Sequence, residues 1–115
     1  MNFGDKMDIN VKLEDFQKID MRVGKIKEVK DIEGSKNLYH LIIDLGDKEY
    51  NSVAGIANAY KKEELIGKKV IVITNLEPRK IRGILSNCMI LAAVDNDKIS
   101  LLTIDKDLNV GSKIF

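Results

Sequence analysis

Four β-branched aliphatic residues stand in succession at Val70-Ile71-Val72-Ile73, inside the run Lys68–Leu76, KKVIVITNL. Such a run favours a strand, because branched side chains pack well on a pleated surface and lose rotamer freedom in a helix. It is apolar on both faces, as is the second run, Met89–Val94, MILAAV. A small barrel has one interior, so such strands need a cover for their outer faces. An N-terminal helix and the C-terminal tail are one source of cover and a second subunit is another; exposed apolar patches usually mark an interface, so a homodimer is expected.

The rest of the chain reads as short strands separated by turns. Leu13, Phe16 and Ile19 have the spacing of a short amphipathic helix, with Asp15 capping or preceding it. From Met21 the period shifts toward two, with a bulge expected near Gly24. Asp31–Asn37 has loop composition, Leu38–Leu45 reads as a strand, and Gly46-Asp47-Lys48 turns into a return strand over Lys48–Val53. Asn58–Leu65, NAYKKEEL, is a helical turn or two ended by Gly67. Glu77-Pro78 closes the strand Lys68–Leu76, Ile81–Ile84 is a short return strand or turn, and Asp95-Asn96-Asp97 leads into a strand over Ile99–Ile104. Many short strands with one central helix make an all-β barrel. The first twelve residues are polar and read as a mobile arm, leaving a single domain over 13–115.

At 115 residues the chain suffices for one core, burying roughly 65% of its unfolded surface without covalent staples. The opening MNFGDKMDIN has no apolar signal segment, and the chain holds one cysteine. Both features lead to the expectation of a reducing, cytoplasmic setting.

Chemistry is sparse. His40 is the only histidine and sits in an apolar strand context, with no cluster of metal-ligating residues around it, so no metal site is expected. Cys88 precedes an apolar strand and reads as a small buried residue rather than a nucleophile. No phosphate-cradling glycine pattern and no acid–base pair stands out, so neither a cofactor nor catalysis is expected.

Charge is distributed unevenly. The net charge is +1, yet Lys61–Arg82 holds seven cations against three carboxylates. Its end, Asn75–Ser86, reads NLEPRKIRGILS. In an extended segment Lys80 and Arg82 would share one face, about 7 Å apart, matching successive phosphates of a nucleic acid strand. Arg adds stacking and bidentate bonds, and Asn75 and Ser86 supply uncharged donors and acceptors for base edges or 2′-hydroxyls.

Several spaced segments carry a resemblance. Asp15–Gly24, DFQKIDMRVG, is similar to the opening of the tRNA-binding domain family. Leu38-Tyr39, Leu45-Gly46-Asp47, Val53–Ala57, Tyr60–Val70, Asn75–Ile84, Ser86 and Met89–Ala93 follow in that family's order. That family includes the C-terminal appendage of bacterial methionyl-tRNA synthetases, stand-alone dimeric tRNA-binding proteins and EMAP II-like cytokine domains. The resemblance spans about residues 13–94. It implies a five-stranded OB-fold β-barrel with a short N-terminal helix and a short helix between strands. It also implies a homodimer that binds tRNA by shape and takes no cofactor, as an accessory to an aminoacyl-tRNA synthetase such as the methionyl enzyme. Carried over by position, it points to Asn75, Arg79, Lys80, Arg82, Ser86 and Met89 as the RNA surface, with Lys36 reaching phosphate. The family also includes a secretion-associated chaperone, which keeps a protein-interaction module as the alternative. Two stretches depart from the family pattern: Ile32–Tyr39 lacks the usual His-Pro-x-Ala-Asp-Lys-Leu-Tyr, and Cys88 stands where the family has glycine in Ser-x-Gly-Met.

Overall fold

The computed structural model describes residues 9–115. Most of the expected arm, residues 1–8, therefore lies outside the described residues; residues 9–12 are exposed and without regular structure. Helix α1 (Leu13–Phe16) is followed by strands β1 (Met21–Asp31), β2 (Tyr39–Asp44) and β3 (Glu49–Ala54), helix α2 (Lys62–Leu65), and strand β4 (Lys69–Ile73). Five short strands complete the chain: β5 (Arg79–Ile81), β6 (Ile84–Ser86), β7 (Met89–Ile90), β8 (Ala92–Asp95) and β9 (Lys98–Leu101). The order β3-β2-β1-β4-β7 forms one antiparallel five-stranded sheet, curled into a nearly closed barrel of the OB type. β5–β6 and β8–β9 form two further two-stranded ribbons.

Long β1 makes the curl possible. Its first half pairs with β4 and its second half with β2, and Lys25 belongs to both ladders. The bulge lies between Ile26 and Glu28 rather than at Gly24. Gly24 serves packing instead: a Cβ there would sit 2.7 Å from Ile43 Cγ2 and 2.8 Å from Val72 Cγ2, so side chains from β2 and β4 occupy the space.

Ile26, Leu41, Ile43, Val70 and Val72 are fully buried in the barrel, and Leu65 of α2 is buried with them. Alternation explains β2, where Tyr39, Leu41 and Ile43 point in. Helix α2 is a single turn, within the one or two expected over Asn58–Leu65; Gly67 (φ 87°) follows it and donates to the Ile26 carbonyl at 2.7 Å. The C-terminal segment runs along β1, with Val23 donating to Ser112 and Ile114 to Met21, both at 2.9 Å.

The cover for the apolar strands differs from expectation. All of Val70–Ile73 is buried within a single chain. Helix α1 buries none of its residues, with Leu13 69% exposed, and Asp15 lies inside the helix, paired with Lys18, instead of capping it. Met89–Val94 is not one strand. It breaks at Leu91, whose N–H bonds to Ile71 and whose carbonyl accepts from Leu102. Beyond that corner every residue of β8 is exposed.

Candidate nucleic-acid interface

The segment between β4 and β7 folds as a hairpin against the outside of β3. Arg79 pairs with Ser86, Lys80 with Leu85 and Ile81 with Ile84, leaving Arg82-Gly83 as a two-residue loop. Both loop residues have positive φ, 53° and 81°, which defines a type I′ turn matched to the twist of the strands. The expected alternation therefore stops at Ile81. Lys80 lies across from exposed Leu85, whereas Arg82 forms the tip, so the two do not share a strand face.

Side-chain hydrogen bonds close the seam between the hairpin and β3. Ser86 Oγ accepts the Val53 N–H at 3.1 Å and donates to the Cys88 carbonyl at 3.4 Å. Asn87 Oδ1 accepts the Asn51 N–H at 2.9 Å, while the Asn87 N–H donates to the Asn51 carbonyl at the same distance. His40 Nε2 pairs with Asn51 Oδ1 at 2.8 Å. These bonds satisfy backbone groups of β3 that would otherwise form an open edge.

The sequence-predicted residues fall into three places. Arg79, Ser86 and Met89 line one depression of about 180 Å³, together with Val53, Leu76, Glu77, Ile81 and Cys88. Lys80 and Arg82 lie on the outer side and tip of the same hairpin. Arg82 Nη1 comes within 3.3 Å of where a Cβ on Gly34 would stand. The loop carrying exposed Lys36, two residues beyond Gly34, is thereby set beside the tip. Asn75 is elsewhere, in a depression with Asp20, Arg22, Leu45, Asp47, Tyr50, Thr74 and Gly111. Its amide accepts the Asp20 N–H and donates to the Lys18 carbonyl.

Electrostatics separates these places. Among the described residues, Lys18, Arg22, Lys27, Lys30, Lys62 and Lys69 each have a carboxylate within ion-pair distance. Arg79, Lys80, Arg82 and Lys36 have none. Within the basic stretch Lys61–Arg82, Lys62 and Lys69 are paired with Asp31 and Asp107, whereas Lys61, Lys68 and the three cations of the hairpin are not paired among the described residues. In the other depression the Arg22 hydrogen bond, then that of Thr74, holds the Asp20 carboxyl below its ordinary range.

Cys88 is buried at the base of the seam, and burial pushes its thiol pKa up to about 12. It is therefore a neutral thiol at physiological pH and no ready nucleophile. Its φ is not positive, so the backbone there does not require the glycine of the family pattern. Val53, Leu76, Glu77 and Ile81 were not among the residues singled out from sequence. The signal for Ile81 was present, two residues from Arg79 on the same strand face; Val53 comes from a distant strand.

The family model for a putative tRNA-binding domain matches residues 21–113. Methionine–tRNA ligase of Methanococcus maripaludis is 51% identical over 111 residues, covering 96% of this chain and 17% of the ligase. The ligase of Pyrococcus abyssi is 49% identical over 104 residues, covering 90% of this chain and 14% of its own length. The chain thus spans less than a fifth of the length of these relatives. Among solved structures, a MetRS-related protein from Pyrococcus horikoshii superposes with a TM-score of 0.87 at 35% identity, covering 93% of this chain and 99% of that one. The CsaA chaperone protein from Picrophilus torridus gives 0.85 at 43% identity, covering 92% and 100%. Fold, length of match and identity agree: the chain belongs to the tRNA-binding domain family.

Proposed function

We propose that this chain is a non-catalytic tRNA-binding protein that reads the shape and phosphates of tRNA rather than its sequence. The observation that carries this reading is the cluster of cations without a carboxylate partner among the described residues, on the hairpin beside β3 and on the loop next to its tip. Arg79, Lys80 and Arg82 stand on the β5–β6 hairpin, and Arg82 touches the loop that bears Lys36. The kinship with methionine–tRNA ligases supports an accessory role in the cytoplasm, in which the domain raises the local concentration of tRNA near a methionyl-tRNA synthetase.

A gel-shift titration of tRNA at two salt concentrations tests this. Four phosphate contacts give a log–log salt slope of about −3 to −4, so affinity falls on the order of 10²-fold between 50 and 200 mM salt. Undetectable or salt-independent binding rejects the proposal.

A homodimer is part of the same reading. Leu13, Phe16 and Ile19 are exposed and line an apolar depression with Ile114 and Phe115. Joining two such faces would remove that surface from water. Light scattering should return twice the monomer mass of 13.0 kDa; a monomer mass rejects this part.

A protein-interaction role is the second reading. It is favoured by a depression of about 290 Å³ lined by Val53, Ala54, Ile56, Met89, Val94 and Ile99, and by the similarity to a chaperone protein. Competition between tRNA and an unfolded protein client separates the two classes.

A further inference from the structure

The depression between the β5–β6 hairpin and β3 has chemistry that phosphate binding leaves unused. Its walls are apolar: Val53, Leu76, Ile81 and the exposed Met89. Its volume, about 180 Å³, is below the roughly 300–1,000 Å³ usual for small-molecule sites and suits a single flat group. Ser86 is occupied by its bonds to Val53 and Cys88. The two charged side chains lining it, Glu77 and Arg79, have no hydrogen-bond or ion-pair partner among the described residues.

Glu77 is out of place in a purely phosphate-binding surface, since its carboxylate repels phosphate. An ionised carboxylate only accepts hydrogen bonds. It therefore fits a ligand edge that donates, while Arg79 beside it fits an acceptor or a phosphate. Apolar walls with one acceptor and one donor match the face and edge of an unpaired nucleobase, which single-stranded loops and ends of RNA present.

We infer that this depression is a subsite for one unpaired base carrying an exocyclic amine. The amine donates to Glu77, Arg79 bonds a ring acceptor or the adjoining phosphate, and Met89 and Leu76 pack on the base face. Uracil is disfavoured, because its single edge donor, the ring N3–H, is flanked on both sides by carbonyl acceptors that would face the Glu77 carboxylate. The inference rests on the tRNA-binding reading and adds a preference at one unpaired position to recognition that otherwise follows shape and phosphates.

The test uses the full chain with methyl-labelled methionine, titrated with octacytidylate and octauridylate, which carry equal charge. The Met89 methyl resonance should shift with the cytidine oligomer, which should bind about fivefold more tightly than the uridine oligomer, the lower end of discrimination by one base contact. In Glu77→Gln the preference should vanish while overall affinity holds or rises, because a negative charge has gone and the Gln amide also donates to carbonyls. Equal binding of the two oligomers to the wild type, or a preference that survives Glu77→Gln, overturns the subsite. Transfer RNA titrated into the same sample distinguishes the two failures. If tRNA binds and Met89 does not respond, the subsite falls alone; if tRNA does not bind, the functional reading falls with it.

Discussion

The side-chain oxygen of Asn75 accepts the backbone N–H of Asp20 at 2.9 Å. The same amide donates to the Lys18 carbonyl at 2.7 Å, so both ends of the side chain are engaged in tying the exit of α1 to the end of β4. Asn75 thus acts on the fold before it acts on any ligand. Asn75→Ala removes both bonds and should lower stability by about 1–2 kcal/mol. Thermal denaturation checks this; an unchanged melting temperature would leave the amide free for RNA.

Gly24 gives a second prediction. A Cβ added there would meet Ile43 and Val72 in the wall of the barrel, both within 2.8 Å, and neither is the loose end of a flexible side chain. Gly24→Ala should destabilise the fold by about 1–3 kcal/mol, the usual cost of overpacking. In urea the unfolding midpoint should fall with an unchanged slope.

At the hairpin tip, charge and backbone requirements can be separated. Arg82 adopts a left-handed conformation that asparagine tolerates better than most residues. Arg82→Asn should therefore leave stability unchanged or slightly raised. It should weaken tRNA binding and reduce the magnitude of the salt slope by about one contact. A full-strength complex in Arg82→Asn would remove the tip from the interface.

Acid stability should depend on Asp20. Its carboxyl is held below its ordinary range, chiefly by the Arg22 hydrogen bond and then by that of Thr74. The folded state therefore releases this proton more readily than the unfolded state. The stability that follows is present above the ordinary carboxylate range and lost as pH falls through and below it. Asp20→Asn should flatten this part of the stability profile between about pH 5 and pH 2. Asp107, lowered by Lys69, contributes with the same sign and remains in that variant.

The strands were legible where alternation and turn chemistry agreed. Tyr39, Leu41 and Ile43 alternate inward, and the turn at Gly46 (φ 94°) lies where its residue type demands. The break at Leu91 was not legible, because MILAAV is uniformly apolar and the corner comes from Leu91 bonding to Ile71 and Leu102, both distant in sequence. The same limit applies at the site. The cations Arg79, Lys80 and Arg82 announced themselves by type and spacing. The internal engagement of Asn75 and Ser86 depends on backbone groups at Asp20 and Val53, 55 and 33 residues away. Polar residues in a basic segment look available until the fold shows what they already hold.

Ser86 is the sharpest case. Its hydroxyl accepts the Val53 N–H on the outer edge of β3, where no strand partner supplies a carbonyl at that point. Ser86→Ala leaves that half-buried amide unsatisfied, which costs about 1–3 kcal/mol. Ser86→Thr retains the oxygen and should keep most of the stability. Hydrogen exchange at the Val53 amide resolves the effect locally: protection should drop in Ser86→Ala and persist in Ser86→Thr. Any loss of tRNA binding in Ser86→Ala should then follow from a loosened seam beneath Arg79 and Met89. An alanine variant with full Val53 protection and weakened tRNA binding would instead make the hydroxyl a direct RNA contact.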